Sequence, residues 1–152
     1  MIWNLYHIAA ELCEAISHFV NTKYIALAKR VYRRKDTIMN DRTIKELAVE
    51  LTVEITYICD NIKGRSVFVN QLLRSCSSIG ANSHEAKYAQ SKEDFINKLE
   101  ISLKECYETE YWLEILFKVN SIDASIYKHL INKCGTLRRK LIASITTVKN
   151  KK

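Results

Sequence analysis

Apolar residues recur along the chain at spacings of three and four, the signature of helices with one buried face. Five such segments can be read. The first covers residues 3–34, with Leu5, Ile8, Ala9, Leu12, Ile16, Phe19 and Val20 on one face, and ends in the basic stretch 29–35. The second starts near Met39, Asn40 and Asp41, a suitable N-cap region, and its stripe is Ile44, Leu47, Ala48, Leu51, Ile55, Ile58 and Ile62. Asn61, Gly64 and Arg65 mark its end, with Gly64 suited to a left-handed C-terminal position. The third covers 66–89, with Val69, Leu72, Leu73, Cys76, Ile79 and Ala86 inward. Small residues fill 75–83 and let a neighbouring helix approach closely.

Ser91, Lys92, Glu93 and Asp94 resemble a capping box with Asp94 in the place of the usual Glu. The fourth segment then runs to about Lys118 with Phe95, Leu99, Cys106, Leu113 and Leu116 or Phe117 inward. Asn120 and Ser121 end it and cap the fifth, residues 122–148, whose stripe is Ile126, Leu130, Cys134, Leu137, Leu141, Ile145 and Val148. Short links force antiparallel neighbours. The predicted fold is all-α: an antiparallel up-down-up-down four-helix bundle over 39–152, with an extra N-terminal helix in a helical extension over 1–38. That extension is either a helix packing on the bundle or on a neighbouring subunit, or upstream sequence read in frame ahead of a start at Met39.

Composition supports the helices. Proline is absent and glycine occurs at Gly64, Gly80 and Gly135 alone, so few tight turns can form. No apolar run reaches the roughly 18 residues of a membrane span, and the amino end does not read as a signal peptide. Cys13, Cys59, Cys76, Cys106 and Cys134 are scattered, with no CxxC pair. They suit small core residues in a reducing, cytoplasmic setting.

The formal charge is +7, and its distribution matters more than its sum. Residues 91–118 carry four lysines against seven acids, whereas 121–152 carry eight Lys or Arg against Asp123. The last helix therefore offers a candidate nucleic-acid face: Lys128, Lys133, Arg138, Arg139, Lys140 and Lys149. A solvated face partly paired with the acidic helix is the competing account. No aromatic interleaves this basic run after Tyr127, so little sequence preference is expected.

Catalytic patterns are missing. A di-iron bundle needs Glu-x-x-His on two helices, and none occurs; HExxH fails because residue 88 is Tyr. There is no Walker loop, GxGxxG or GxSxG. Cys76 and His84 would stand about 12 Å apart along one helix, too far to act as nucleophile and base. A non-enzymatic protein without metal or cofactor is expected. Two polar constellations remain. Ser78, Asn82 and Glu85 share a helix face near Arg74; Lys104, Glu105, Glu108, Tyr111 and Trp112 lie on the acidic helix. Charges beside a core must be paired, so Arg74 or Lys104 should meet Glu85, Glu105 or Glu108 and fix the register between helices. A subunit interface or a ligand groove is the sharper alternative.

The runs 71–75, 78–82 and 85–86, then 91–92, 94–96 and 98–99, then Lys104, Glu105, Glu108, Thr109 and 111–113 carry a resemblance. They resemble a bacterial four-helix bundle family that includes the 23S rRNA-intervening sequence proteins and the accessory variability determinant of diversity-generating retroelements. The likeness covers about residues 40–148. It implies a ring-like homopentamer without known catalysis. For the retroelement branch it implies binding to a reverse transcriptase and to RNA or DNA through basic surfaces; for the other branch the role is undefined. The function expected is a nucleic-acid-binding accessory oligomer. The alternative is a scaffolding oligomer that binds another protein through a groove between helices, with Tyr107, Tyr111 and Trp112 on its surface.

Overall fold

Four helices account for the bundle, and the chemistry of their ends explains where each begins and stops. The computed structural model describes residues 42–150. The helix expected over 3–34, the start expected at Met39–Asp41 and Cys13 lie outside the described residues.

Helix α1 spans Ile44–Cys59. Its N-cap is Thr43, not the 39–41 stretch. The Glu46 N–H donates to Thr43 Oγ1 at 3.2 Å and the Thr43 N–H donates to Glu46 Oε2 at 2.9 Å. This reciprocal pair satisfies two amide donors that the first turn would otherwise leave open. Helix α2 spans Ser66–Glu85. Gly64 has φ +72°, but it sits in the α1–α2 link, beyond the Asp60 cap of α1, so it turns the link and does not terminate the helix. After Glu85 the backbone tightens into a 3-10 turn at Ala86–Tyr88.

Helix α3 spans Lys92–Lys118 with Ser91 as N-cap. The Ser91 hydroxyl accepts from the Asp94 N–H at 3.1 Å, while the Asp94 carboxylate accepts from Gln90 N–H at 3.2 Å. The expected box is therefore displaced by one residue on the Asp94 side. The C-terminus of α3 closes with Asn120 at φ 56°. Asn120 N–H donates to the Phe117 carbonyl at 3.0 Å and Ser121 N–H to the Leu116 carbonyl at 2.8 Å, the two bonds of a Schellman motif. Helix α4 spans Ala124–Asn150. Asp123, not Ser121, caps it: Asp123 Oδ1 accepts from Ile126 N–H at 2.8 Å.

Each of α1 and α3 packs on both α2 and α4. Cross-links fix the directions. Thr52 Oγ1 on α1 donates to the Cys76 carbonyl on α2, and a Cβ on Gly80 would stand 3.4 Å from Ala48 Cβ. Between α2 and α3, Ser83 meets Ser102 and Thr109 meets Ser75. Between α3 and α4, Glu100 meets Lys149 and Glu110 meets Arg138. Between α1 and α4, Glu50 meets Lys133 and Glu54 meets His129. In each pair the residue numbers run in opposite senses, so contacting helices are antiparallel.

The core takes the centre of the stripes read from the sequence: Leu51, Ile55, Leu72, Ile79, Leu113, Leu116, Leu130, Leu137 and Leu141 are all at most 1% exposed, while Ile44, Leu47, Ile58, Ile62, Val69, Leu73, Phe95 and Ile126 are partly buried against it. Leu116 takes the core position and Phe117 packs at its edge, stacked on Tyr127 with ring centroids 4.6 Å apart. Cys59, Cys76, Cys106 and Cys134 are free and buried. Burial pushes the Cys59 thiol up to about 12 and the Cys76 thiol up to about 11.

Candidate functional site

The six cations predicted to form one face of α4 do not share a face. A helix turns about 100° per residue, so they spread over three directions. Lys133 points towards α1, where its Nζ lies 2.8 Å from Glu54 and 3.7 Å from Glu50. Arg138 and Lys149 point towards α3. Arg138 Nε is 3.5 Å from Glu110 and Lys149 Nζ is 2.7 Å from Glu100. These three cations tie α4 to its neighbours. Lys128 and Arg139 lie eleven residues apart and return to within about 20° of each other. Both are exposed and both face away from the core. Arg139 donates to Thr136 Oγ1 at 3.0 Å. Lys140 is half-buried, about 100° round the helix from Arg139. Among the described residues, Lys128, Arg139 and Lys140 make no ion pair.

Glu54 anchors the α1–α4 contact. Burial pushes its carboxyl up, but hydrogen bonds from His129 (3.1 Å) and Lys133 (2.8 Å) outweigh that and hold it below the usual carboxylate range. Glu110 shows the reverse balance. Its Oε1 is buried without a hydrogen bond, and desolvation exceeds the pull of Arg138, so its carboxyl is raised.

The polar constellations separate into two inter-helix links. Arg74 pairs with Glu108 through a hydrogen-bonded contact and reaches Glu105 at 3.8 Å. Trp112 Nε1 donates to the same Glu108 oxygen at 3.1 Å, and its ring stacks on Phe68. Glu105 Oε2 is buried and accepts no hydrogen bond; desolvation and the Glu108 charge raise its carboxyl. Glu85 pairs with Lys98 at 2.6 Å. Asn82 donates within its own helix to the Ser78 carbonyl at 2.9 Å. Lys104 is exposed and makes no ion pair among the described residues, so Arg74 alone carries the α2–α3 link expected of either cation.

Sequence reading missed a buried hydroxyl seam. Ser75, Ser83, Ser102 and Thr109 are nearly or fully buried between α2 and α3. Their spacing at three, four and seven on the apolar faces was the available signal. Also missed was the pairing of Tyr107 with α4: the Arg138 guanidinium lies 5.3 Å from the Tyr107 ring centroid. Tyr107 and Tyr111 are exposed, whereas Trp112 is held by Glu108 and Phe68.

Among the described residues, no three metal-ligating side chains converge, and no helix is long and apolar enough to cross a membrane. The fold and its polar seams define a helical bundle in which ion pairs run from helix to helix. The profile of the 23S rRNA-intervening sequence protein family matches residues 40–143, and the chain belongs to that family. It is also similar to the crystal structure of a protein of unknown function from the S23 ribosomal protein family of Bacteroides thetaiotaomicron VPI-5482. The two are 40% identical over 68% of this chain and 98% of the other, with a TM-score of 0.65. Neither description names a catalytic activity. No curated protein matches the chain.

Proposed function

We propose that the protein is a non-enzymatic accessory oligomer that binds nucleic acid through the outer surface of α4. The observation that carries this reading is that Lys128, Arg139 and Lys140 make no ion pair among the described residues, while Lys133, Arg138 and Lys149 are matched to acids. Unmatched cations on one helix suit a row of phosphates. One bundle offers few of them, so self-association matters: a ring repeats the patch and raises avidity without new contacts. The homopentamer implied by the family resemblance supplies that repetition. Val49, Val53 and Tyr57 support an assembly surface. They recur every four residues on the side of α1 opposite the core and are 51%, 46% and 65% exposed. In the retroelement branch the bundle would serve a reverse transcriptase; for the intervening-sequence branch the resemblance implies no defined role.

The test is binding to a structured RNA across a salt series, with oligomer mass recorded in the same buffer. Binding that weakens steeply with salt and is lost in a Lys128/Arg139/Lys140→Ala variant is expected. Binding indifferent to salt, or none at low salt, overturns the reading. An assembled ring indifferent to RNA would favour a scaffold for another protein.

A further inference from the structure

Two guanidinium groups of α4 converge on one point of its surface. A Cβ on Gly135 would stand 3.5 Å from Arg139 Nη1 and 3.8 Å from Arg138 Nη2, and the glycine is buried. Arg139 is steadied by its bond to Thr136. Arg138 is steadied by the Tyr107 ring and by Glu110. Glu110 answers Arg138 alone, so the positive charge of Arg139 is left over where the two guanidiniums meet. Like charges held close repel unless an anion joins them. Planar forked donors match the oxygens of a phosphate.

One ring stands next to that point, and a second lies a helical turn away. Tyr107 is 47% exposed although Arg138 lies against it, and Tyr111, one turn further along α3 and packed edge-to-face with Trp112, is 55% exposed. The basic run of α4 has no aromatic of its own here; the neighbouring helix supplies them. Exposed aromatic faces beside arginines are the parts that bind unpaired bases, because stacking is available to any base and needs no particular sequence. A duplex keeps its base faces inside the stack, out of reach of both tyrosines.

We infer that the α3–α4 flank is a clamp for single-stranded nucleic acid. A backbone phosphate sits between Arg138 and Arg139, one base stacks on Tyr107 and its neighbour on Tyr111. This deepens the nucleic-acid reading and rests on it. It changes the expected ligand from any phosphate-bearing polymer to an unpaired strand.

The full chain is titrated with a short fluorescent oligouridylate and, separately, with a blunt RNA duplex of equal length. The single strand should bind more tightly. Tyr107→Leu and Tyr111→Leu should each weaken it about tenfold, the scale of one base–aromatic stack, while leaving duplex affinity unchanged. Tyr107→Phe should retain binding. Photo-crosslinking of a thiouridine-substituted strand to the unaltered protein should map to Tyr107 or Tyr111. A duplex bound as tightly as the single strand, a Tyr107→Leu variant with undiminished affinity, or crosslinks confined to other surfaces overturn the clamp. If RNA binding then still falls in Lys128→Ala and Lys140→Ala, the broader reading stands without it. Failure of both RNAs to bind overturns both.

Discussion

Ser83 and Ser102 hold their hydroxyl oxygens 2.8 Å apart across the α2–α3 seam, and both also lie within 2.8 Å of the Ile79 carbonyl oxygen. Three close oxygen contacts share two protons, so the hydroxyls are coupled. Removing one serine leaves the other with the carbonyl; removing both leaves only the carbonyl, already bonded within its helix. Ser83→Ala and Ser102→Ala should each cost about 1 kcal/mol, and the double variant less than their sum. Urea unfolding of the four species checks this. Strict additivity would mean the hydroxyls act independently.

Gly80 and Gly64 should respond oppositely to alanine. A Cβ at Gly80 meets Ala48 Cβ at 3.4 Å, an ordinary contact. Gly80→Ala should therefore keep or raise stability, since alanine is favoured in helices by about 1 kcal/mol. Gly80→Leu has no room against α1 and should cost about 1–3 kcal/mol. Gly64 has open space around it but φ +72°, so Gly64→Ala should cost about 1–2 kcal/mol by backbone strain alone. Thermal melts rank the three.

Lys133 and Lys128 separate stability from binding. Lys133 joins two carboxylates of α1, and Glu54 keeps only 13% of its side chain exposed. Lys133→Ala should destabilise the bundle by about 1–3 kcal/mol, the range for hydrogen bonds to charged groups. Lys128→Ala, on the outer face, should change stability by less than about 0.5 kcal/mol and act on RNA affinity alone. Equal melting points for both variants would mean the α1–α4 ion pairs carry no weight.

Acid should loosen α1 from α4. The Glu54 carboxyl is depressed in the fold, so its stabilisation is present above the ordinary glutamate value of about 4.3. It is lost as pH falls through the lower folded value. Glu110 and Glu105 are raised. Their contribution is full below the ordinary value and is lost as pH rises through the folded one. Glu54→Gln should flatten the acid limb of stability against pH. Glu110→Gln should stabilise at neutral pH and lose that advantage near pH 4. Chemical unfolding across pH, with hydrogen exchange at the α1–α4 contact, reads both.

The helices and their inward faces were legible because apolar periodicity is a local property. Leu72, Leu113 and Leu141 needed only their neighbours three and four residues away. The start of α1 was also legible in principle, as Thr43 and Glu46 have capping-box spacing, but Asn40 and Asp41 offered a competing cap three and two residues earlier. Asp123 was overlooked behind Ser121 for the same reason. The α4 cations were misread as one face because composition counts charges without rotating them about the helix axis. Their partners were beyond sequence reach altogether: Glu54 lies 79 residues before Lys133. Tyr107 becomes a neighbour of Arg138 only when α3 and α4 run antiparallel in this register.

Burial of the cysteines has a practical outcome. Cys59, Cys76, Cys106 and Cys134 come one from each helix and are at most 5% exposed, so a thiol reagent can reach them only when helices part. The bundle therefore carries one chemical stopwatch on each of its four described helices. The rate at which each sulfur is alkylated in the native protein reports how often that helix swings open, and nucleic acid or a second subunit should slow whichever clocks it covers.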